Sequence, residues 1–81
     1  MKLRVLFFAA CREITGTREL EIEVADGSNV GDLRRDLGER FPALKRMGSA
    51  LSAAVNADYC RDSVVLVEGD EVSFLPPVSG G

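Results

Sequence analysis

Two segments near the N-terminus predict β-strands from the pattern of their apolar positions. Residues 2–10 are an almost continuous run of apolar, β-prone residues, which is typical of a central strand with much of both faces covered. Residues 18–24 alternate strictly, with apolar side chains at 20, 22 and 24 and glutamates at 19, 21 and 23. Residues 11–17 are predicted to be a short connection with Gly16 as its turn residue. The two strands therefore predict a hairpin.

Apolar residues at helical spacing predict one amphipathic helix after this hairpin. They are Val30, Leu33, Leu37 and Phe41. Ser28 or Asn29 can cap the helix, because their side-chain oxygens accept free N–H groups of the first turn. Pro42 is predicted to end it, since proline lacks an N–H and biases the preceding residue away from helical angles.

The second half of the chain predicts further strands at residues 51–56, 59–60 and 71–75, with turns at 56–58 and 68–70. The structure of residues 64–67 is ambiguous from the sequence. The order β-β-α-β-(β)-β predicts an α+β fold. By analogy we expect a ubiquitin-like β-grasp, in which a mixed sheet of four to five strands carries one main helix on one face. In that fold the first and last strands are adjacent and parallel.

The alternation of side chains along the first and last strands predicts which of them face the helix. Those expected to point inward are Leu3, Val5, Phe7, Val72 and Phe74. Phe8 and Leu75 would then lie on the open face of the sheet, and Tyr59 could join them. A cluster there favours a docking patch. The alternative is a scatter of exposed apolar residues, which is normal on protein surfaces.

Composition narrows the possible chemistry. The 81 residues allow one small domain, and 46% hydrophobic residues suffice for a packed core. A formal net charge of −3 argues against nucleic acid or an anionic membrane as partner. There is no histidine, and the two cysteines, Cys11 and Cys60, suggest neither a disulfide framework nor a metal site. With no apolar run long enough to span a membrane and no signal peptide pattern, we expect a cytoplasmic protein.

The end of the chain is unlike a structural element. Pro76 and Pro77 stiffen its base and cannot join a strand ladder. The four residues after them, Val78, Ser79, Gly80 and Gly81, reach roughly 13–14 Å when extended. Two terminal glycines can thread a narrow channel. We therefore predict a β-grasp domain over 1–77 and a flexible tail over 78–81, with a frayed terminus as the alternative interpretation.

Several segments together resemble the small subunit of molybdopterin synthase, over essentially the whole chain. They are residues 5–9, Arg12-Glu13, Gly16, residues 54–56 and the ending GDEVSFLPPVSGG at 69–81. The resemblance implies a sulfur carrier that is not catalytic by itself. An E1-like enzyme would use ATP to adenylate the carboxylate of Gly81, and a sulfur-donor system would convert it to a thiocarboxylate. The tail would then enter the large catalytic subunit, in a heterotetramer with two copies of each chain. There its sulfur would help turn cyclic pyranopterin monophosphate into molybdopterin.

Other residues allow more than one interpretation. Arg12 lies after the first strand, where it could meet an acidic patch of a partner or the adenylate phosphate, and simple surface charge fits equally well. Arg34, Arg35 and Arg40 are predicted to form the solvated face of the helix. The cysteines could relay persulfide, but small semi-buried hydrophobes are the simpler interpretation.

Two other functions stay open. One is a related carrier that delivers sulfur to thiamin, cysteine or tRNA synthesis. The other is a β-grasp interaction module or protein modifier without sulfur chemistry.

Overall fold

The computed structural model describes residues 1–77. Its elements are β1 (Lys2–Phe7), α1 (Ala10–Thr15), β2 (Glu19–Glu23), α2 (Val30–Arg40), α3 (Pro42–Met47), a 3₁₀ turn (Gly48–Ala50), β3 (Ser52–Val55), β4 (Asp58–Tyr59) and β5 (Glu71–Leu75). Every predicted strand is present, although β1 ends at Phe7 rather than at residue 10, and β4 begins one residue early. None of the helices in this part of the chain has the length and apolarity to cross a membrane.

The five strands form one mixed sheet in the order β2-β1-β5-β3-β4. β1 pairs antiparallel with β2, as the hairpin predicts, and parallel with β5, with Phe7 opposite Phe74. β3 pairs antiparallel with both β5 and β4. The first and last strands thus lie side by side at the centre, which confirms the β-grasp arrangement.

The core lies between the sheet and α2. The residues predicted to point inward from β1 and β5 are all buried there, together with Val30, Leu33 and Leu37 of α2. At the end of α2, the Phe41 ring meets Phe7 edge to face at 6.3 Å. The predicted apolar stripe therefore packs against the sheet, and this removes the apolar surface of both from water.

Asn29 is the cap of α2. Its side chain accepts from the Asp32 backbone N–H at 2.8 Å, and the Asp32 carboxylate accepts from the Asn29 N–H at 3.0 Å, which is a capping box. Ser28, the other candidate, instead donates its hydroxyl to the carbonyl of Ala25.

The predicted connection 11–17 is wrong over most of its length, because α1 occupies it. α1 has only six residues, and Cys11 is its one fully buried side chain. Its apolar positions therefore show too little helical periodicity for the helix to be predicted from the sequence. Gly16 does act as the turn residue: it ends α1 in the left-handed conformation, with φ 75.

α3 is a second helix that the sequence pattern does not predict. Pro42 follows α2 as expected, but it also opens α3, where its missing N–H costs nothing and its fixed φ suits the first turn. Leu44 is the buried residue of this helix. In the ambiguous segment 64–67, Val65 forms only an isolated bridge with Asn29, and Leu66 enters the core.

Candidate docking face and tail base

The base of the tail lies at the edge of the sheet where both central strands end. Because β1 and β5 are parallel, Phe7 and Leu75 finish at this same edge, and Pro76 and Pro77 follow directly. We call it the tail edge. Pro76 is half-buried and Pro77 is exposed. The predicted tail residues Val78, Ser79, Gly80 and Gly81 lie outside the described residues.

The strand register places Leu75 and Tyr59 on one face, the outer face of the sheet, opposite α2. Phe7 pairs with Phe74, and the alternation along β1 assigns the next residue, Phe8, to the same face as Leu75, the last residue of β5. One row closer to the centre, the register joins Leu6, Ser73, Ala54 and Tyr59 across four strands. Tyr59 thus shares a face with Leu75, at a diagonal position and with β3 between their strands.

Exposure differs among these side chains. Tyr59 is 72% exposed and Phe8 41%, whereas Leu75 and Leu6 are half-buried. Ala54 and Ser73 are buried, although their register puts them on the outer face rather than in the core cluster. Leu6 extends the apolar surface beyond the predicted trio, and the alternation along β1 predicts that it faces away from the helix.

Away from the tail edge the same face is ionic. Arg4 pairs with Glu71 of β5 and lies 3.5 Å from Glu19 of β2, and Lys2 lies 3.7 Å from Glu21. The hydrogen bond and the charge of Glu71 raise the pKa of Arg4 further above its ordinary value. The outer face is therefore divided, with its apolar half next to the tail base and with Glu19 opposite Leu6 at the β2 edge of that half.

Arg12 lies on α1, which begins three residues after β1 ends, and its side chain is exposed. Among residues 1–77 it makes no ion pair. Its role in binding a partner stays a prediction.

Neither cysteine is set up as a nucleophile. Cys11 is buried in the core, and burial raises the pKa of its thiol. Cys60 is half-buried, and burial is again the main reason that its pKa is raised. Since the thiolate is the reactive form, both side chains are better suited to packing than to carrying sulfur.

Known proteins resemble this chain over its whole length. Residues 5–81 match the model of the ThiS family. The molybdopterin synthase sulfur carrier subunit of Escherichia coli (strain K12) is 41% identical, over 98% of this chain and 99% of that protein. The subunit of the same name from Mycobacterium tuberculosis is 40% identical, over 100% and 99%.

Solved structures agree with these relatives. In the complex of subunits 1 and 2 of the molybdopterin-converting factor from Helicobacter pylori, one chain matches with a TM-score of 0.70 and 27% identity, covering all of both chains. The small archaeal modifier protein 1 from Methanosarcina acetivorans matches with a TM-score of 0.82 and 31% identity, over 99% of this chain and 96% of that one.

Proposed function

The chain belongs to the ThiS family and is a homologue of molybdopterin synthase sulfur carrier subunits, and from this premise we propose that it carries sulfur on the carboxylate of Gly81. The observation that supports the proposal most directly is the geometry of the tail edge. The parallel pair β1 and β5 places the stiff Pro76-Pro77 base beside the apolar half of the outer face.

The chemistry requires activation of the terminal carboxylate. A main-chain carboxylate has a pKa of about 3.3–3.7, so at neutral pH it is ionised and resists nucleophiles. We propose that its oxygen attacks the α-phosphorus of ATP on an E1-like enzyme, which releases pyrophosphate and leaves an acyl-adenylate. A persulfide from a sulfur donor then attacks the acyl carbon and displaces AMP. Reductive cleavage of the resulting acyl disulfide by a second thiol leaves the thiocarboxylate.

This route explains how a chain without histidine can serve an enzyme. The sulfur travels on the main chain, so neither cysteine needs to react. Glycine at 80 and 81 lets the end of the chain enter a narrow channel, because it carries no side chain. We assign the catalytic groups to the large subunit and only the sulfur donor to this chain.

The large subunit is the partner we assign to the outer face. The Helicobacter pylori structure that matches this chain is a complex of two subunits of a molybdopterin-converting factor. Phe8, Leu75 and Tyr59 would bury their apolar surface against the partner, and Arg12 would meet an acidic group at the rim. In this way the body would orient the tail toward the partner's site. We propose two copies of each chain in the complex.

The decisive experiment is intact-mass analysis. The chain is incubated with its cognate activating enzyme, ATP and a sulfur donor. Replacement of one oxygen by sulfur at the C-terminus is expected, and it should be absent when ATP is omitted. A variant that lacks Gly81 should stay unmodified while its circular dichroism is unchanged. Molybdopterin formation by purified large subunit with the Gly81-deleted chain would contradict the proposal.

A second candidate function is protein modification. It is favoured by the match to the small archaeal modifier protein 1. The two functions share an adenylated glycine and differ in the acceptor. Lysine adducts of this chain, found by mass spectrometry of cell extracts, would support the modifier. Reconstitution of molybdopterin synthesis with the large subunit would support the carrier.

A further inference from the structure

A groove on the helix side of the molecule is lined by more positive than negative side chains, whereas the rest of the chain has a net negative charge. It lies between α2 and α3 and holds about 370 Å³. Arg34, Arg35 and Glu39 of α2 line it together with Leu44 and Lys45 of α3. We call it the helix-side groove. Since α2 covers the inner face of the sheet, this groove and the outer face lie on opposite sides of the sheet.

Charge is unevenly distributed along the sequence. The charged side chains that line the groove are Arg34, Arg35, Lys45 and Glu39, a formal charge of +2. The whole chain has a formal charge of −3, which leaves −5 for the other residues. A basic surface attracts acidic segments of other molecules.

Two of the three cations in the groove are available to a ligand. Arg34 is engaged, because its guanidinium binds the Asp62 carboxylate at 3.0 Å and the backbone carbonyls of Gly48 and Leu51. Arg35 is 71% exposed and has only Asp32 at 3.5 Å. Lys45 is exposed and makes no ion pair with any residue of 1–77.

The shape of the groove follows from one glycine. Gly38 faces α3, and a Cβ there would lie only 3.1 Å from the Cβ of Lys45. The bare backbone lets the two helices approach closely, with Leu44 buried beneath them. The groove therefore combines two exposed cations with the apolar and main-chain surface that lies between them.

We propose that the helix-side groove docks an acidic segment of a protein partner. Carboxylates of that segment meet Arg35 and Lys45, and an apolar side chain between them packs against the α2–α3 junction. A compact multiply charged anion such as phosphate fits less well, because the carboxylate of Glu39 shares the groove. A peptide can space its charges away from that carboxylate. A partner held here leaves the outer face and the tail free.

A peptide titration tests this proposal without either partner of the proposed function. The ¹⁵N-labelled chain is titrated with a synthetic peptide of two aspartates, a central leucine and two glutamates. At about 10 mM salt, where the Debye length is about 30 Å, we expect amide shifts confined to α2 and α3 around the groove. The double variant Arg35→Glu, Lys45→Glu should weaken binding about tenfold or more, because it replaces attraction with repulsion.

Two controls make the result specific. The double variant Arg18→Glu, Arg61→Glu changes the net charge equally at exposed sites outside the groove, and it should bind like the original chain. A peptide with asparagine and glutamine in place of the four acids should cause no shifts. The proposal is overturned if the groove amides do not move, if the control variant loses binding equally, or if inorganic phosphate reproduces the shifts at lower concentration.

Discussion

Phe7 and Phe8 are neighbours in sequence with opposite environments. Phe7 is 1% exposed and packs in the core, whereas Phe8 is 41% exposed at the tail edge. We expect Phe7→Ala to lower the free energy of unfolding by about 3–5 kcal/mol through the cavity it leaves. Phe8→Ala should hardly change that free energy, and it should weaken binding to the large subunit by about ten- to a hundredfold. Thermal melts and calorimetric binding check both.

Leu75→Ala extends this comparison. Because Leu75 is half-buried beside Phe8, we expect a smaller loss of affinity than for Phe8→Ala. If Phe8→Ala unfolds the protein while Phe7→Ala melts normally and fails to bind, the outer face is not the docking face.

Ala9 and Ala57 adopt backbone conformations that favour glycine. Ala9 has φ 48 and ψ −124, and the Cys11 N–H donates to the Phe8 carbonyl across this turn, as in a type II′ turn. Ala57 has φ 73 in the two-residue loop between β3 and β4. We expect Ala9→Gly and Ala57→Gly each to stabilise the fold by about 1 kcal/mol, which raises the Tm by roughly 4–8 °C.

Ala43 offers the matched control for these two substitutions. It lies in α3, where glycine should destabilise by about 0.5–1 kcal/mol instead. Scanning calorimetry of the three variants measures the differences. A drop in Tm for Ala9→Gly and Ala57→Gly similar to that for Ala43→Gly would contradict the assignment of strain.

Cys11 and Cys60 should behave as packing residues. Burial raises the pKa of both thiols, so at neutral pH less thiolate is present than on a free cysteine, whose pKa is about 8.5. We expect slow alkylation of Cys60 that accelerates as the pH rises, and almost none of Cys11 before unfolding. The double variant Cys11→Ser, Cys60→Ser, if folded, should still accept sulfur at Gly81. Loss of sulfur transfer in that folded variant would instead indicate that a cysteine of this chain relays persulfide.

At the scale of elements, Arg34 connects α2 to two other segments. It binds Asp62 in the loop before β5 and the carbonyl of Leu51 before β3, and its guanidinium lies 5.8 Å from the centre of the Phe74 ring. The interpretation of this residue as part of a solvated helix face is therefore wrong. Helical spacing places Arg34, four residues after Val30, beside the apolar stripe and Arg35 further from it. The partners of Arg34 cannot be read from that spacing, because they come from distant positions in the chain.

Replacing this arginine should loosen the packing of α2. We expect Arg34→Met to lower the free energy of unfolding by about 1.5–3 kcal/mol, since charge-assisted hydrogen bonds are lost and the Leu51 carbonyl is left without this donor. Arg35→Met, on the exposed side of the same helix, should change it by less than about 0.5 kcal/mol. Urea denaturation measures the free energy of unfolding of both variants. Equal losses would contradict the role of Arg34 in joining α2 to the segments around Leu51 and Asp62.

The short helices show where sequence patterns stop being informative. α2 has three apolar positions at helical spacing, a fourth at its C-cap and a capping box, so it can be predicted. α1 and α3 have six residues and one buried side chain each, Cys11 and Leu44. Such helices form because the surrounding sheet and α2 bury them, and a single apolar residue carries no periodicity.

At the scale of the whole molecule, residues 78–81 should contribute little to the free energy of unfolding of residues 1–77. Within residues 1–77, the core lies between the sheet and α2. We expect a chain truncated after Pro77 to keep its Tm within about 2 °C and its binding surface on the outer face, while it can no longer accept sulfur. A large fall in Tm would mean that residues 78–81 pack on the body.

The sequence by itself determined the fold class, the strand order along the chain, and which side chains of β1 and β5 enter the core. Alternation and helical spacing are local signals, and burial of one face enforces them. The tertiary structure decided what depends on distant pairs: the connection made by Arg34, the helix-side groove, and the row across β3 that places Tyr59 on the same face as Leu75. These features arise because the pairing of β3 with β5, and the packing of α3 on α2, join residues that are not neighbours in the chain.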